Sequence, residues 1–191
     1  MTHASSTAQP DLIAGNGPAA RIVRLRDGRS VTLRVASSED LPAVQQFVRG
    51  LSDRSRRNRF LAPVRELSPD QLDCDTRSRP PGELALVLET IEGAGSRIVA
   101  MAQYAVCEAL EAEFAVVVDD AWQRQGLGIQ LLGVLAEQAS RAGLATFAGF
   151  VFAENWPMLA LLARFDCELV TDRDPYLIRA VKRLDAYELA V

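Results

Sequence analysis

Between residues 114 and 132, a predicted strand, a turn with two glycines and a predicted helix follow one another. This succession constrains the fold more than any other part of the sequence. Residues 114–118 (Phe-Ala-Val-Val-Val) form a short, uniformly apolar run, which is typical of a strand buried on both faces. After a turn at residues 119–122, Gly126 and Gly128 open an amphipathic helix. Glycines at the start of a helix leave its first backbone N–H groups approachable, and these donors, with the positive end of the helix dipole, suit a diphosphate.

The spacing of the glycines separates several interpretations of this turn. A P-loop requires a lysine directly after its second glycine, and no lysine is present here. A dinucleotide fingerprint requires a third small residue where this chain has Leu131. A glycine turn that serves only the path of the chain is a further alternative. The strand before it, the helix after it and Gln123 three residues ahead of Gly126 weigh against that alternative.

Composition narrows the chemistry. The chain has 191 residues, of which 49% are hydrophobic and 24% charged, and this balance suits one globular domain with a buried core. His3 is the only histidine and Lys182 the only lysine among 21 basic residues. These two scarcities argue against histidine-based triads, most zinc sites and a Schiff-base lysine. We therefore expect no metal site.

Charge and cysteine usage bear on location and partners. The net charge of −4 argues against nucleic acid as a partner. No apolar run approaches the roughly 18–20 residues that cross a bilayer, and the first residues lack the basic and apolar regions of a secretion signal. Cys74, Cys107 and Cys167 form no C-x-x-C pair, which suggests a reducing compartment. We expect a cytoplasmic protein that binds neither nucleic acid nor a membrane.

The order of predicted elements indicates the fold class. Residues 1–20 are rich in Ser, Thr, Ala, Gly and Pro and are predicted to be a disordered leader, followed by one domain over residues 21–191. Strands are predicted at residues 22–26, 30–35, 84–91, 98–106, 113–118, 146–153, 168–171 and 176–184. Helices are predicted to begin near residues 38, 52, 68, 125 and 156. Strands dominate early and helices alternate with strands later, which predicts a mixed α/β fold with helices on both faces of a mixed sheet.

Three sets of residues carry a resemblance to a known superfamily. The pattern Gln123-x-x-Gly126-x-Gly128 after Val116-x-Val118 resembles motif A of the GNAT acyltransferases. Residues 154–159 resemble the motif that closes on the coenzyme after the next strand. Residues 51–55, 59–60 and 113–115 are most similar to the catalytic domain of bacterial protein lysine acetyltransferases of the Pat type.

The resemblance implies a twisted sheet splayed between its fourth and fifth strands, here residues 114–118 and 146–152, with acetyl-CoA in the V between them. Pantetheine would pair with the strand backbone, and the pyrophosphate would rest on N–H groups of the turn, with the Arg124 guanidinium as a further contact. Asn155 would hydrogen-bond the pantetheine arm; a plain helix N-cap is the alternative, and the two roles are compatible. The implied coenzyme-binding residues are Val116, Val117, Val118, Gln123, Arg124, Gln125, Gly126, Leu127, Gly128, Ile129 and Asn155.

Transfer to an amine requires a neutral nucleophile, and a lysine amine starts with a pKa of about 10.4. A general base therefore takes its proton, and without a usable histidine the candidates are carboxylates. Glu113 begins the strand that would hold the thioester, where similar Pat-type domains carry a catalytic Glu. Glu108 and Glu111 lie nearby in a predicted loop. The helix after Asn155 lacks the Tyr that many GNAT enzymes use as acid, so Tyr176 and a water both stay open for that role.

Taken together, the resemblance implies an acetyl-CoA-dependent N-acetyltransferase whose acceptor is a lysine side chain of a protein, such as an acyl-CoA synthetase. Acetylation of a small amine and a noncatalytic acyl-CoA sensor are the alternatives. The basic run Arg54, Arg56, Arg57 and Arg59 is predicted to be a solvated helix face, with docking of an acidic protein substrate as the other interpretation.

Overall fold

The structure is a computed structural model that describes residues 18–25, 27–92, 95–171 and 173–184. Residues 1–17 of the predicted leader, which include His3, lie outside the described residues. None of the helices within these ranges is long and apolar enough to cross a membrane.

The described ranges contain eight strands and five α-helices in the order that the sequence predicts. The strands are β1 (Arg21–Arg24), β2 (Ser30–Val35), β3 (Glu83–Glu92), β4 (Gly95–Glu108), β5 (Glu111–Val118), β6 (Thr146–Phe152), β7 (Glu168–Thr171) and β8 (Leu177–Arg183). The helices are α1 (Leu41–Gly50), α2 (Asp53–Phe60), α3 (Pro69–Thr76), α4 (Leu127–Arg141) and α5 (Trp156–Arg164). The largest differences in bounds are at the start of β4, which begins three residues before the predicted residue, and of α1, which begins three residues after it because a 3₁₀ turn occupies Ser38–Asp40.

One mixed sheet organises the molecule. Its strand order is β1-β2-β3-β4-β5-β6-β8-β7, and β5 with β6 is its parallel pair, the other neighbours being antiparallel. The two strands of the predicted V, residues 114–118 and 146–152, are β5 and β6, the fifth and sixth strands in chain order.

Helices cover both faces of the sheet, as predicted. On one face, α4 and α5 pack against the sheet through residues such as Leu131, Leu135 and Leu162. On the other face, α1 and α3 enclose a second apolar cluster that includes Val44, Phe47 and, from β3, Val87. The sheet therefore separates two cores, and side chains that alternate along one strand enter different cores.

Short polar residues fix where the helices begin. The hydroxyls of Ser52 and Ser68 accept hydrogen bonds from the N–H groups three residues later, as expected for N-caps of α2 and α3. Ser37 caps a short 3₁₀ turn that leads into α1. After α4 and α5 the chain turns through Gly143 and Asp166, whose φ angles of 82° and 61° are those of left-handed C-terminal caps.

The parallel pair β5–β6 separates after three register positions. Glu111, Ala112 and Glu113 face Thr146, Phe147 and Ala148, and no pairing follows within the described residues. The next residue of β6 is Gly149, where an added Cβ would lie 3.0 Å from both the carbonyl oxygen and the ring of Phe114. The Phe114 ring stacks on Phe147 with ring centroids 4.7 Å apart. The Phe114 ring, packed against the backbone of Gly149, therefore occupies the point at which β5 and β6 separate.

Replacing Gly149 by Ala should destabilise the protein, because the new methyl group meets backbone that cannot rotate away. We expect a loss of about 1–3 kcal/mol in the free energy of unfolding, measured by urea denaturation. Gly133→Ala is the matched control, since its Cβ meets nothing within 4 Å in the middle of α4. That control should gain roughly 0.5–1 kcal/mol. Equal stability of Gly149→Ala and wild type would contradict the assigned close approach.

Candidate active site

A cavity of ≈ 220 Å³ lies where β5 and β6 separate. Its walls come from both strands, from the C-terminal half of α2, from the start of α3 and from α5. The lining residues are Asn58, Arg59, Phe60, Leu61, Gln71, Glu113, Phe114, Ala115, Val116, Gly149, Phe150, Val151, Asn155, Met158 and Leu162. The cavity brings Glu113 and Asn155, predicted from separate motifs, to one place.

Glu113 is the carboxylate of this cavity. Its neighbours in β5, Ala112 and Phe114, are buried in the core beneath α4, so alternation turns Glu113 to the opposite face. The side chain is exposed, and in the described part of the chain no residue forms a hydrogen bond or ion pair with it. Its carboxylate is therefore available to a ligand.

The two other candidate carboxylates are placed differently. Glu108 and Glu111 were predicted in a loop, but they end β4 and begin β5 and face each other across the hairpin. Glu111 forms an ion pair with Arg179 of β8 at 2.5 Å, and neither residue lines the cavity. The hairpin is tighter than expected because β4 continues to Glu108, with a register shift after Val106.

The turn before α4 presents a run of unpaired backbone donors. Through the ranges that the structure describes, no protein group accepts a hydrogen bond from the N–H groups of residues 124–129. The first of these, Arg124, has a φ of 62°, and Gly126 has a φ of 84°. A Cβ on Gly126 would meet only the end of the Gln130 side chain, at 3.9 Å, so open space lies beside it. Such a concave, positively polarised turn fits a diphosphate.

The two glycines of the turn do different work. Gly126 provides the left-handed conformation, whereas Gly128 lies within α4, where an added Cβ would be 2.7 Å from a methyl group of Leu161 in α5. The second glycine therefore permits close packing of the two helices. Leu127 is buried beside it, and Ile129 is half-buried.

The backbone N–H and C=O groups of β5 point alternately towards β4 and towards β6. The carbonyl oxygen of Phe114 approaches Gly149 of β6, so the backbone groups of Val116 and Val118 also point into the V, by alternation. Val117 is opposite Met101 of β4 and its side chain lies in the core under α1. Of the three valines predicted to bind coenzyme, only Val116 and Val118 present backbone groups to the V.

A polar network that the sequence did not indicate joins α2 to the end of β5. The Asp120 carboxylate accepts hydrogen bonds from the N–H and hydroxyl of Ser52 and from the hydroxyl of Ser55, at 2.8–3.0 Å. Gln123 donates to the carbonyl oxygen of Val118 at 3.1 Å and to the Ser55 hydroxyl at 3.4 Å. The Gln123 side chain, predicted to contact the coenzyme, therefore holds the turn itself.

The electrostatics of Asp120 follow from this network. Burial alone would raise the pKa of its carboxyl, but the hydrogen bonds from Ser52 and Ser55 together hold that pKa below its ordinary value of 3.8. The charged form is therefore the one that the folded structure stabilises. No short-range sequence signal could have found these contacts, because 68 residues separate Ser52 from Asp120.

Asn155 has the position that both of its predicted roles require. Asn155 is only 6% exposed. Its Oδ1 caps α5 by accepting a hydrogen bond from the N–H of Met158 at 3.4 Å. It also lines the cavity. Tyr176, considered as a proton donor, is 74% exposed in the turn before β8 and does not line the cavity. Among the described residues, no three His, Cys, Asp or Glu side chains come together as a metal site would require.

The basic run of α2 is not one solvated face, contrary to the prediction. Arg56 turns inward and donates to the carbonyl oxygens of Arg49 and Leu51. Arg59 forms an ion pair with Asp75 of α3 at 3.1 Å, and both side chains are only 8% exposed. Arg54 and Arg57 remain exposed. The four arginines differ in exposure because α2 lies across the V, with one side against the protein and the other towards solvent.

Comparison with known proteins gives consistent matches. Residues 50–166 match the model of the acetyltransferase (GNAT) family. The chain is 33% identical over 152 residues to Acetyltransferase PA5475 of Pseudomonas aeruginosa, which covers 79% of this chain and 81% of that protein.

Solved structures show the same fold. The GNAT domain of S. lividans PAT superposes with a TM-score of 0.78 at 26% identity, covering 86% of this chain and 97% of that domain. A cAMP-binding acyltransferase from Mycobacterium smegmatis superposes with a TM-score of 0.59 at 22% identity, over 87% of this chain and 48% of that one. The second likeness concerns the fold alone.

The Asp120 network should make stability depend on pH. Because the folded-state pKa is depressed, the contribution is complete above the ordinary value of 3.8 and is lost as pH falls through the lower folded value. Asp120→Asn should therefore lower the free energy of unfolding by about 1 kcal/mol at pH 7. The difference from wild type should shrink as the pH falls below 3.8 towards the lower folded-state pKa, because the folded wild type takes up its proton only there.

Thermal unfolding followed by circular dichroism between pH 3 and pH 7 would measure this dependence. Glu66→Gln is the control, since it breaks the exposed ion pair with Arg49 and should cost less than about 0.5 kcal/mol. A difference between wild type and Asp120→Asn that stays constant across this range would contradict the assignment.

Proposed function

The chain belongs to the GNAT acetyltransferase family, and on this premise we propose that it transfers an acetyl group from acetyl-CoA to a lysine side chain of a protein, with Glu113 as general base. The observation that carries the proposal is the unpaired Glu113 carboxylate in the cavity where β5 and β6 separate. An acyl-CoA synthetase is the first choice of acceptor, from the resemblance to Pat-type domains. The free thiols of Cys74, Cys107 and Cys167 accord with the proposed cytoplasmic location.

Several features support coenzyme binding in the V. The N–H groups of residues 124–129 are unpaired in the described structure, and Gly126 leaves open space beside them for a diphosphate. Val116 turns its backbone groups and Val118 its N–H into the V, where an extended amide-bearing arm can pair with them, while the Val118 carbonyl oxygen accepts from Gln123. Asn155 borders the same space. Bound there, the coenzyme supplies its acetyl group as a thioester.

Glu113 has the charge and the freedom that a general base requires. Acetyl transfer forms a C–N bond and breaks a C–S bond. The lysine ammonium gives up two protons, of which one goes to the leaving thiolate of CoA and one is taken up by the base. The Glu113 carboxylate accepts that proton, directly or through a water, and no arginine among the described residues forms an ion pair with it. Glu111 is less suited, since Arg179 occupies its carboxylate at 2.5 Å.

The openness of the acceptor side supports a protein substrate. Enclosed pockets for small ligands bury most of the ligand surface. Here Glu113 is exposed and Phe150, on the same side of the cavity, is 38% exposed. A side chain presented by a protein can enter such a site while the rest of the partner covers it. The likeness to the GNAT domain of S. lividans PAT is a second support.

Glu113→Gln should separate catalysis from binding. The amide keeps the shape of the side chain but cannot accept a proton, so turnover should fall by roughly 10²–10⁴-fold. Acetyl-CoA affinity, measured by calorimetry, should stay near that of wild type. The loss should shrink at high pH, where free amine forms without help.

Glu111→Gln and Glu108→Gln are the matched controls for this variant, and both should retain most of the turnover. The assay is incubation with labelled acetyl-CoA and cell extract, followed by mass spectrometry of the labelled products. Label on protein lysines supports the proposed acceptor, whereas label only on small amines contradicts it. Wild-type turnover of Glu113→Gln would assign the base elsewhere, and no transfer to any acceptor by wild type would leave a coenzyme sensor.

Gly126→Glu should abolish coenzyme binding without unfolding the domain. The new carboxylate would project beside the unpaired N–H groups, where it repels a diphosphate and blocks its approach to the backbone. Gly28→Glu is the control for backbone strain, because Gly28 has a φ of 88° and equally open surroundings. Calorimetry should find acetyl-CoA binding lost in the first variant and retained in the second. Unchanged affinity of Gly126→Glu would contradict the diphosphate assignment.

A further inference from the structure

Helix α2 spans the opening of the V and contributes to the cores only through Phe60, which packs, partly buried, against the second one. None of its residues is buried. At its start, Ser52 and Ser55 hold the Asp120 carboxylate beyond β5, and further along, Arg57 forms an ion pair at 2.5 Å with Glu154 beyond β6. The helix is therefore fastened to both strands of the V by polar contacts at the end where the coenzyme turn begins.

Arg54, Arg57 and Asn58 lie on one side of α2, because they are separated by three and four residues. With Glu154 they line a second cavity of ≈ 310 Å³. Arg57 also lies over the ring of Phe152, 4.1 Å from its centroid. In the described residues Arg54 has no hydrogen bond or ion pair, so one carboxylate faces two guanidinium groups and the cavity carries an excess positive charge.

We propose that Arg54 and Arg57 bind a phosphate group of the coenzyme, as a side-chain site additional to the backbone N–H groups of residues 124–129. The proposal rests on the proposed function for the identity of the ligand. Its geometric support is the contact between Ser55 and Gln123, at 3.4 Å, which holds this part of α2 beside the coenzyme turn. A coenzyme that runs along β5 to that turn passes the two guanidinium groups.

The Arg57–Glu154 ion pair is suited to exchange partners. Both side chains are well exposed, at 48% and 69%, and exposed ion pairs contribute little to stability. A phosphate offers a guanidinium two charge-assisted hydrogen bonds and more negative charge than one carboxylate. Glu154 therefore holds Arg57 in place before the coenzyme binds and competes with its phosphate afterwards.

Calorimetry with CoA and with dephospho-CoA, which lacks the 3′-phosphate, tests the site without any acceptor. The double variant Arg54→Ala/Arg57→Ala should bind CoA about tenfold or more weakly. Its affinity should also depend less on salt concentration. Glu154→Gln should bind CoA more tightly than wild type, because the competing charge is gone. The matched control is Arg49→Ala, which removes an exposed arginine of α1 that pairs with Glu66. This variant should bind CoA as wild type does.

Comparing CoA with dephospho-CoA identifies which phosphate group Arg54 and Arg57 bind. A loss for CoA with no loss for dephospho-CoA assigns the pair to the 3′-phosphate, and an equal loss for both assigns it to the pyrophosphate. Wild-type affinity of the double variant, or a loss no larger than that of Arg49→Ala, would overturn the proposal. Because binding is measured without an acceptor, failure of lysine acetylation would leave this result unaffected.

Discussion

The separation of β5 from β6 is the constraint on which the rest of the site depends. The strands pair for three positions, and then the ring and carbonyl of Phe114 lie against Gly149, where no Cβ fits without displacement. Beyond that point the backbone of β5 has no strand partner on one side. The same separation places the Glu113 side chain at the base of the opening and leaves Val116 and Val118 facing into it. A fully paired sheet would have closed this space with its own hydrogen bonds.

Two kinds of interaction complete the site around this opening. The apolar cores on the two faces hold the sheet, α1, α3, α4 and α5 by burial. The remaining helix, α2, is held near its end by the buried Arg59–Asp75 ion pair and by Phe60 against the second core, and elsewhere by more exposed polar contacts to Asp120 and Glu154. Exposed polar contacts are weak, so the part of the helix that they hold is the part of the site that solvent conditions and ligands can influence most. Because α2 lies over the opening between β5 and β6, its response to solvent conditions and ligands bears directly on coenzyme binding.

The candidate site could be predicted in part. The unpaired N–H groups before α4 and the cap at Asn155 follow from local sequence, and the structure has both. Glu113 was selected with two neighbouring carboxylates as alternatives; of the three it alone lines the cavity, and Arg179, 68 residues from Glu111, pairs with Glu111. Gln123 was predicted as a coenzyme-binding residue, and in the structure its side chain donates hydrogen bonds to Val118 and Ser55. Contacts with residues distant in sequence decided each of these cases.

By itself the sequence determined the elements and their ends, because these depend on neighbouring residues: an apolar run for β5, a glycine that tolerates positive φ at residue 126, and serines that cap α2 and α3. The family resemblance also lay in such local patterns. Only the tertiary structure decided where the sheet opens and how the arginines of α2 divide. Those outcomes depend on contacts such as that of Gly149 with Phe114 and that of Arg57 with Glu154. Arg57 and Glu154 are 97 residues apart in the sequence. No residue's own propensity encodes a partner at that distance, because packing selects it only when the sheet is assembled.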